Sequence, residues 1–157
     1  MSVQVTWESL TSQFAKLLKA GHRYVVLIAN PLDGQGISPF TQVSWRDDCR
    51  MQLEAVSDTF LDHELDAGQC TMLRQLGFAT PHSLGDDYLN WVQFRNGEGA
   101  EPLLVARFLV ECLRDVYRVR IDDVDFEWIA SEEMFQPPAT VMKNGTTYLQ
   151  NTAGLGG

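Results

Sequence analysis

The sequence predicts an α+β domain in which an antiparallel sheet of about five strands packs against three helices, followed by a flexible C-terminal tail. Three observations predict it. Apolar residues recur at helical spacing in three separated segments. Strand-like runs lie between them, and the first three are joined by connections too short to hold a crossover helix. Proline and glycine then take over the end of the chain, so one domain is expected over residues 1–133 and a tail over 134–157. A chain of 157 residues that is 45% apolar and 10% aromatic is long and apolar enough to bury a single core.

Thr6 is placed to cap a first helix carrying Trp7, Leu10, Phe14, Leu17 and Leu18 on one side, and Gly21 stands where a left-handed C-cap residue belongs. Arg23–Ala29 is dense in β-branched residues and is stopped by Asn30-Pro31-Leu32-Asp33-Gly34, which marks an interior strand and its turn. Phe40–Trp45 and Cys49–Ala55 read as the next two strands of a meander, the latter alternating as a strand with one wet face does. Asp66 and Gln69 form a capping-box pair, with Met72, Leu73 and Leu76 as the apolar side of a short helix ended by Gly77. Tyr88–Phe94 is expected as a fourth strand, closed by Asn96-Gly97. Pro102 is suited to the first helical position of a third helix whose apolar side runs through Val105, Phe108, Leu109, Cys112, Leu113 and Val116. Val124–Trp128 alternates over its whole length and is the last expected strand. From Phe135 onward, Pro137-Pro138 and the closing glycines do not sustain regular structure, although Val141, Met142, Tyr148 and Leu149 could fill a groove.

Twelve Lys and Arg against 21 Asp and Glu give a formal charge of −9. That balance disfavours nucleic acid and anionic membrane surfaces, both of which need clustered cations. No segment is apolar for long enough to span a bilayer, and Trp7, Glu8 and their polar neighbours interrupt any signal-peptide stretch, so the cytoplasm is the expected compartment. Cys49, Cys70 and Cys112 are widely spaced and form neither a disulfide framework nor a zinc motif.

Chemistry-bearing patterns are weak. Asp58, Asp62, His63, Glu64 and Asp66 could be offered to a hard cation, but their spacing fits no EF-hand loop and a solvated acidic loop is the plainer reading. His22, His63 and His82 accompany no nucleophile motif, and Gly34 and Gly36 precede a strand where a phosphate loop would open a helix. No catalytic set, metal or cofactor is expected. The aromatics are a different case. Trp45, Trp91, Phe94 and Trp128 fall on expected strands, where most belong to the core but an exposed ring would anchor a partner chain. Asp125 and Glu127 share the wet face of the last strand, where an ordinary solvated face is the plainer reading and attraction of basic segments the sharper one. These six are the candidate partner-binding residues.

The chain also resembles the YbjN and type III secretion chaperone-like family, particularly its actinobacterial TY-Chap members, over about residues 6 to 129. The likeness rests on Trp7-Glu8-x-Leu10, Phe40-Thr41-Gln42, Leu53–Ser57 with Phe60-Leu61, Leu76-Gly77-Phe78-x-x-Pro81, Asn90-Trp91 and Leu113–Tyr117. It implies a secretion-chaperone-like fold, often a homodimer, that binds a polypeptide client or secretion substrate without catalysis and has no catalytic residues to transfer. Two rivals stand beside it. An acidic immunity protein would require one tight, basic toxin partner, and an enzyme would require convergent polar groups that the sequence does not display.

Overall fold

The computed structural model describes residues 4–36, 38–61 and 64–135 throughout, and residues 139–140 and 149–150 by their backbone. Helix α1 (Trp7–Ala20) opens on a reciprocal cap: Ser9 N–H donates to Thr6 Oγ1 and Thr6 N–H donates to Ser9 Oγ, both at 2.9 Å. It closes at Gly21, whose φ of 93° lets its N–H reach the Leu18 carbonyl. Helix α2 (Ala67–Gln75) begins with the expected Asp66–Gln69 capping box. Helix α3 (Pro102–Glu111) runs directly into a π turn at Cys112–Val116, where the Tyr117 N–H donates five residues back to the Cys112 carbonyl.

Five strands, β1 (Tyr24–Pro31), β2 (Phe40–Trp45), β3 (Arg50–Ala55), β4 (Trp91–Asn96) and β5 (Val124–Ala130), form one sheet in the order β4-β3-β2-β1-β5. Every neighbouring pair is antiparallel, so the α+β expectation and the meander of β1 to β3 hold. The fourth strand starts three residues later than the sequence suggests. Tyr88–Asn90 is held out of the ladder because the His82 N–H takes the Tyr88 carbonyl, while Asn90 spends its side chain on the Ser57 N–H and on Glu54. The last strand, in turn, continues two residues further, to Ala130.

Register places Val25, Leu27 and Ala29 of β1 beside Val43 and Thr41 of β2, and these beside Leu53 and Ala55 of β3, all buried and all toward the helices. Phe14 of α1 meets Trp128 edge to face at 5.3 Å, and the Thr41 hydroxyl donates to the Leu109 carbonyl of α3. Phe14, Leu27, Leu53, Leu109 and Leu113 are fully enclosed, each burial being worth about 1.5–3 kcal/mol. All three helices lie on this one side of the sheet.

After β5 the chain returns to the corner where α1 ends. His22 and Met134 form a bridge, the Phe135 N–H donates to the Gly21 carbonyl at 2.7 Å, and the Phe135 ring stacks on Trp45 with centroids 4.8 Å apart. Of the segment 134–157 expected as a tail, Met134 and Phe135 are therefore docked, and Ala139–Thr140 pairs with Leu149–Gln150. Val141, Met142 and Tyr148 lie outside the described residues, as do Asp62 and His63 of the acidic loop.

Candidate functional site

Among the described residues no α-helix covers the opposite face of the sheet, on which Phe60 lies against Phe40 and Tyr88 against Phe94. Alternation turns Tyr24, Val26 and Ile28 of β1 onto it, flanked by Phe40 of β2 on one side and Ile129 of β5 on the other. Tyr24 and Ile129 keep 40% and 41% of their surface exposed, so the centre of this face is an apolar stripe open to solvent. Across β3 the surface becomes polar and self-satisfied: Arg46 donates to Gln52 at 3.0 Å, Gln52 to Glu54 at 3.0 Å, and Asn90 to the other Glu54 oxygen at 3.1 Å.

The two sheet edges differ. At β4 the Ala79 N–H and carbonyl exchange hydrogen bonds with Val92, which closes part of that edge. At β5 the hydrogen bonds to β1 use alternate residues. The Ser131 N–H donates to Tyr24 and the Leu32 N–H to Asp123, and in the β1–β5 register this parity assigns Asp125, Glu127 and Ile129 to the β1 side. The N–H and carbonyl groups of Val124, Phe126, Trp128 and Ala130 consequently point away from the sheet, and among the described residues no strand pairs with them.

Asp125 and Glu127 stand on the uncovered face of this free strand, exposed, with Glu127 Oε1 accepting from the Asn30 amide at 3.0 Å. Phe94 shares the face but lies on β4, with the Arg46 and Arg50 guanidinium groups over its ring at 5.1 and 4.8 Å. The three tryptophans face the helices. Trp91 is 3% exposed, with Arg74 over its ring; Trp128 is half-buried against Phe14; Trp45 is half-buried under Phe135. Hydropathy does not single out Tyr24, Val26 and Ile28, and Ile129 lies beyond the expected last strand, which ends at Trp128. Both faces of β1 are apolar, so its alternation carried no hydropathy signal, and the period-2 spacing from Val25 was the only cue.

Shifted proton affinities lie in the core, at the α2 cap, beside Arg114 and at the β2–β3 turn, none of them at the apolar stripe. The Cys112 thiol is pushed up to about 12, chiefly by burial. The Asp66 carboxyl is lowered first by the Gln69 backbone N–H and then by Arg118. Asp115 is lowered by the Arg114 fork beside it, and Asp48 by the Arg50 backbone N–H. Each of these carboxylates is engaged in a cap, a turn or a surface ion pair.

The family described as type III secretion system (YopN, CesT) and YbjN peptide-binding chaperone 3, TY-Chap3, matches residues 1–124. The chain belongs to the TY-Chap3 family. Membership implies a peptide-binding chaperone role, and the matched span of this TY-Chap3 chain takes in all three helices and β1 to β4, ending at the first residue of β5. No curated protein and no solved structure matches the chain significantly. Among the described residues no helix is long and apolar enough to cross a membrane.

Proposed function

We propose that this TY-Chap3 protein is a non-catalytic, secretion-chaperone-like factor that holds an extended segment of a client polypeptide along β5 and over the adjoining uncovered face. The observation that supports this reading is the outer edge of β5, with which no strand pairs among the described residues, beside an exposed apolar stripe. An extended client would satisfy the outward backbone groups of Val124, Phe126, Trp128 and Ala130, while alternate side chains would rest beside Ile129, Val26 and Tyr24. Backbone pairing is indifferent to sequence and supplies affinity. Side chains on the uncovered face supply preference. Shielding follows from the same contact, because a client strand paired at this edge has one edge fewer to offer to aggregation.

The test is a tiled array of unstructured peptides followed by solution titration. Binding in the micromolar range is expected for a subset, and the Tyr24→Ser, Ile129→Ser double variant should weaken it about tenfold, a loss of about 1.4 kcal/mol, while remaining folded by circular dichroism at the assay temperature. Absence of binding to any unfolded polypeptide at millimolar concentration would sink the reading.

A further inference from the structure

The β5 edge carries a charge pattern that lies beyond the span matched by the family. The match ends at Val124, and the next solvent-facing positions in register are Asp125, Glu127 and Ile129. A strand added outside β5 would form its hydrogen-bonded pairs with Val124, Phe126, Trp128 and Ala130, which makes Asp125, Glu127 and Ile129 the non-hydrogen-bonded positions. At such positions the backbones approach to about 4.5 Å between Cα atoms and facing side chains are closest, so these three side chains read the incoming strand most directly. Glu127 is also fixed in place: its carboxylate accepts from the Asn30 amide, whose own oxygen accepts from the Ser38 hydroxyl at 2.6 Å.

We infer that the preferred occupant of the β5 edge is an antiparallel polypeptide segment of the form apolar-x-basic-x-basic, its apolar side chain opposite Ile129 and its two Lys or Arg side chains opposite Glu127 and Asp125. This rests on the polypeptide-binding reading above and adds its register, polarity and charge. The antiparallel direction follows from the rest of the sheet, in which every neighbouring pair is antiparallel. It sets the order of the motif, because the N-terminal end of the added strand meets the C-terminal end of β5. The same carboxylates disfavour a second copy as the occupant. Self-pairing over the full length of β5 places Glu127 directly opposite its own counterpart, and a shift by two residues toward the strand's start sets Asp125 against Glu127 on both sides. A shift the other way shortens the ladder to Phe126–Ala130.

The experiment uses the full chain and three labelled peptides in one neutral flanking sequence: Leu-x-Lys-x-Lys, its reversal Lys-x-Lys-x-Leu, and Leu-x-Glu-x-Glu. Fluorescence anisotropy is expected to rank the first at least about fivefold tighter than either of the others, with the gap closing in high salt. The D125K/E127K variant should invert the preference toward Leu-x-Glu-x-Glu, and the milder D125N/E127Q variant should erase it. Equal binding of all three peptides overturns the inferred register and charge while leaving polypeptide binding intact. Failure of every peptide and of unrelated unfolded polypeptides removes the underlying reading as well. If sedimentation velocity finds wild-type dimers that the peptide dissociates, the edge belongs to a second copy and the inference is overturned.

Discussion

Gly97 shows how one residue can be decided by a neighbour distant in sequence. A Cβ built there would meet the Trp45 ring at 2.1 Å and the Cys49 carbonyl at 2.6 Å, so the β2–β3 corner closes only over a hydrogen atom. Gly97→Ala should therefore destabilise the fold by about 1–3 kcal/mol, measured as a lower urea midpoint, because neither the backbone carbonyl nor the stacked indole has room to retreat. Asp66 makes the opposite case, a role visible in sequence. Its carboxylate caps α2 and pairs with Arg118 at 3.0 Å. Since its folded-state pKa lies below the ordinary carboxylate value, its contribution is complete above that value and is lost as pH falls through the depressed one. Asp66→Asn should keep most of the cap and flatten this acid limb of the stability profile, whereas Asp66→Ala should lower the melting temperature at neutral pH as well. Thr6, Gly21 and Asp66 were legible because a cap is a local contract between residues a few positions apart. Gly97 was not, since only the folded corner brings Trp45 to it.

At the scale of elements, alternation identified β3 and β5 because one of their faces is polar, and it failed on β1 because neither face is. The start of β4 is obscured in the sequence for a related reason. Tyr88 and Leu89 have strand-like side chains, but their backbone is drawn into the turns around His82 and Gly85. The candidate site was legible in part. Asp125 and Glu127 were placed on the uncovered face by spacing alone, which also turns Trp128 inward, while Trp45 and Trp91 proved to face the helices, a choice of side that residue type does not encode. Trp45 meets Phe135, and this stack ties the return of the chain after β5 to the end of β2. Arg23 lies over the same ring, 5.4 Å from its centre. Phe135→Ala should remove the stack and cost about 3–5 kcal/mol at most, since the ring is 8% exposed and close to the surface. Indole fluorescence shifted to the red, together with faster proteolysis after Ser131, would report the detached segment.

For the molecule as a whole, the two faces of the sheet divide the labour. One face carries the core with all three helices, and the other carries the half-buried side chains of Val26, Ile28 and Phe40 beside the exposed Tyr24 and Ile129. The formal charge of −9 favours solubility even though the described residues leave an apolar stripe exposed and the outer edge of β5 without a paired strand. The π turn at the end of α3 adds a constraint on how this structure opens. Its widened backbone presents the Val116 carbonyl to the Gln69 amide of α2 at 2.9 Å inside the protein, and the Tyr117 hydroxyl that follows donates to Val56 at the end of β3. Lifting α2 away would strand a buried acceptor, so the second and third helices should exchange their amide hydrogens for deuterium as one unit, at one denaturant concentration, while α1 frays independently from its first turn.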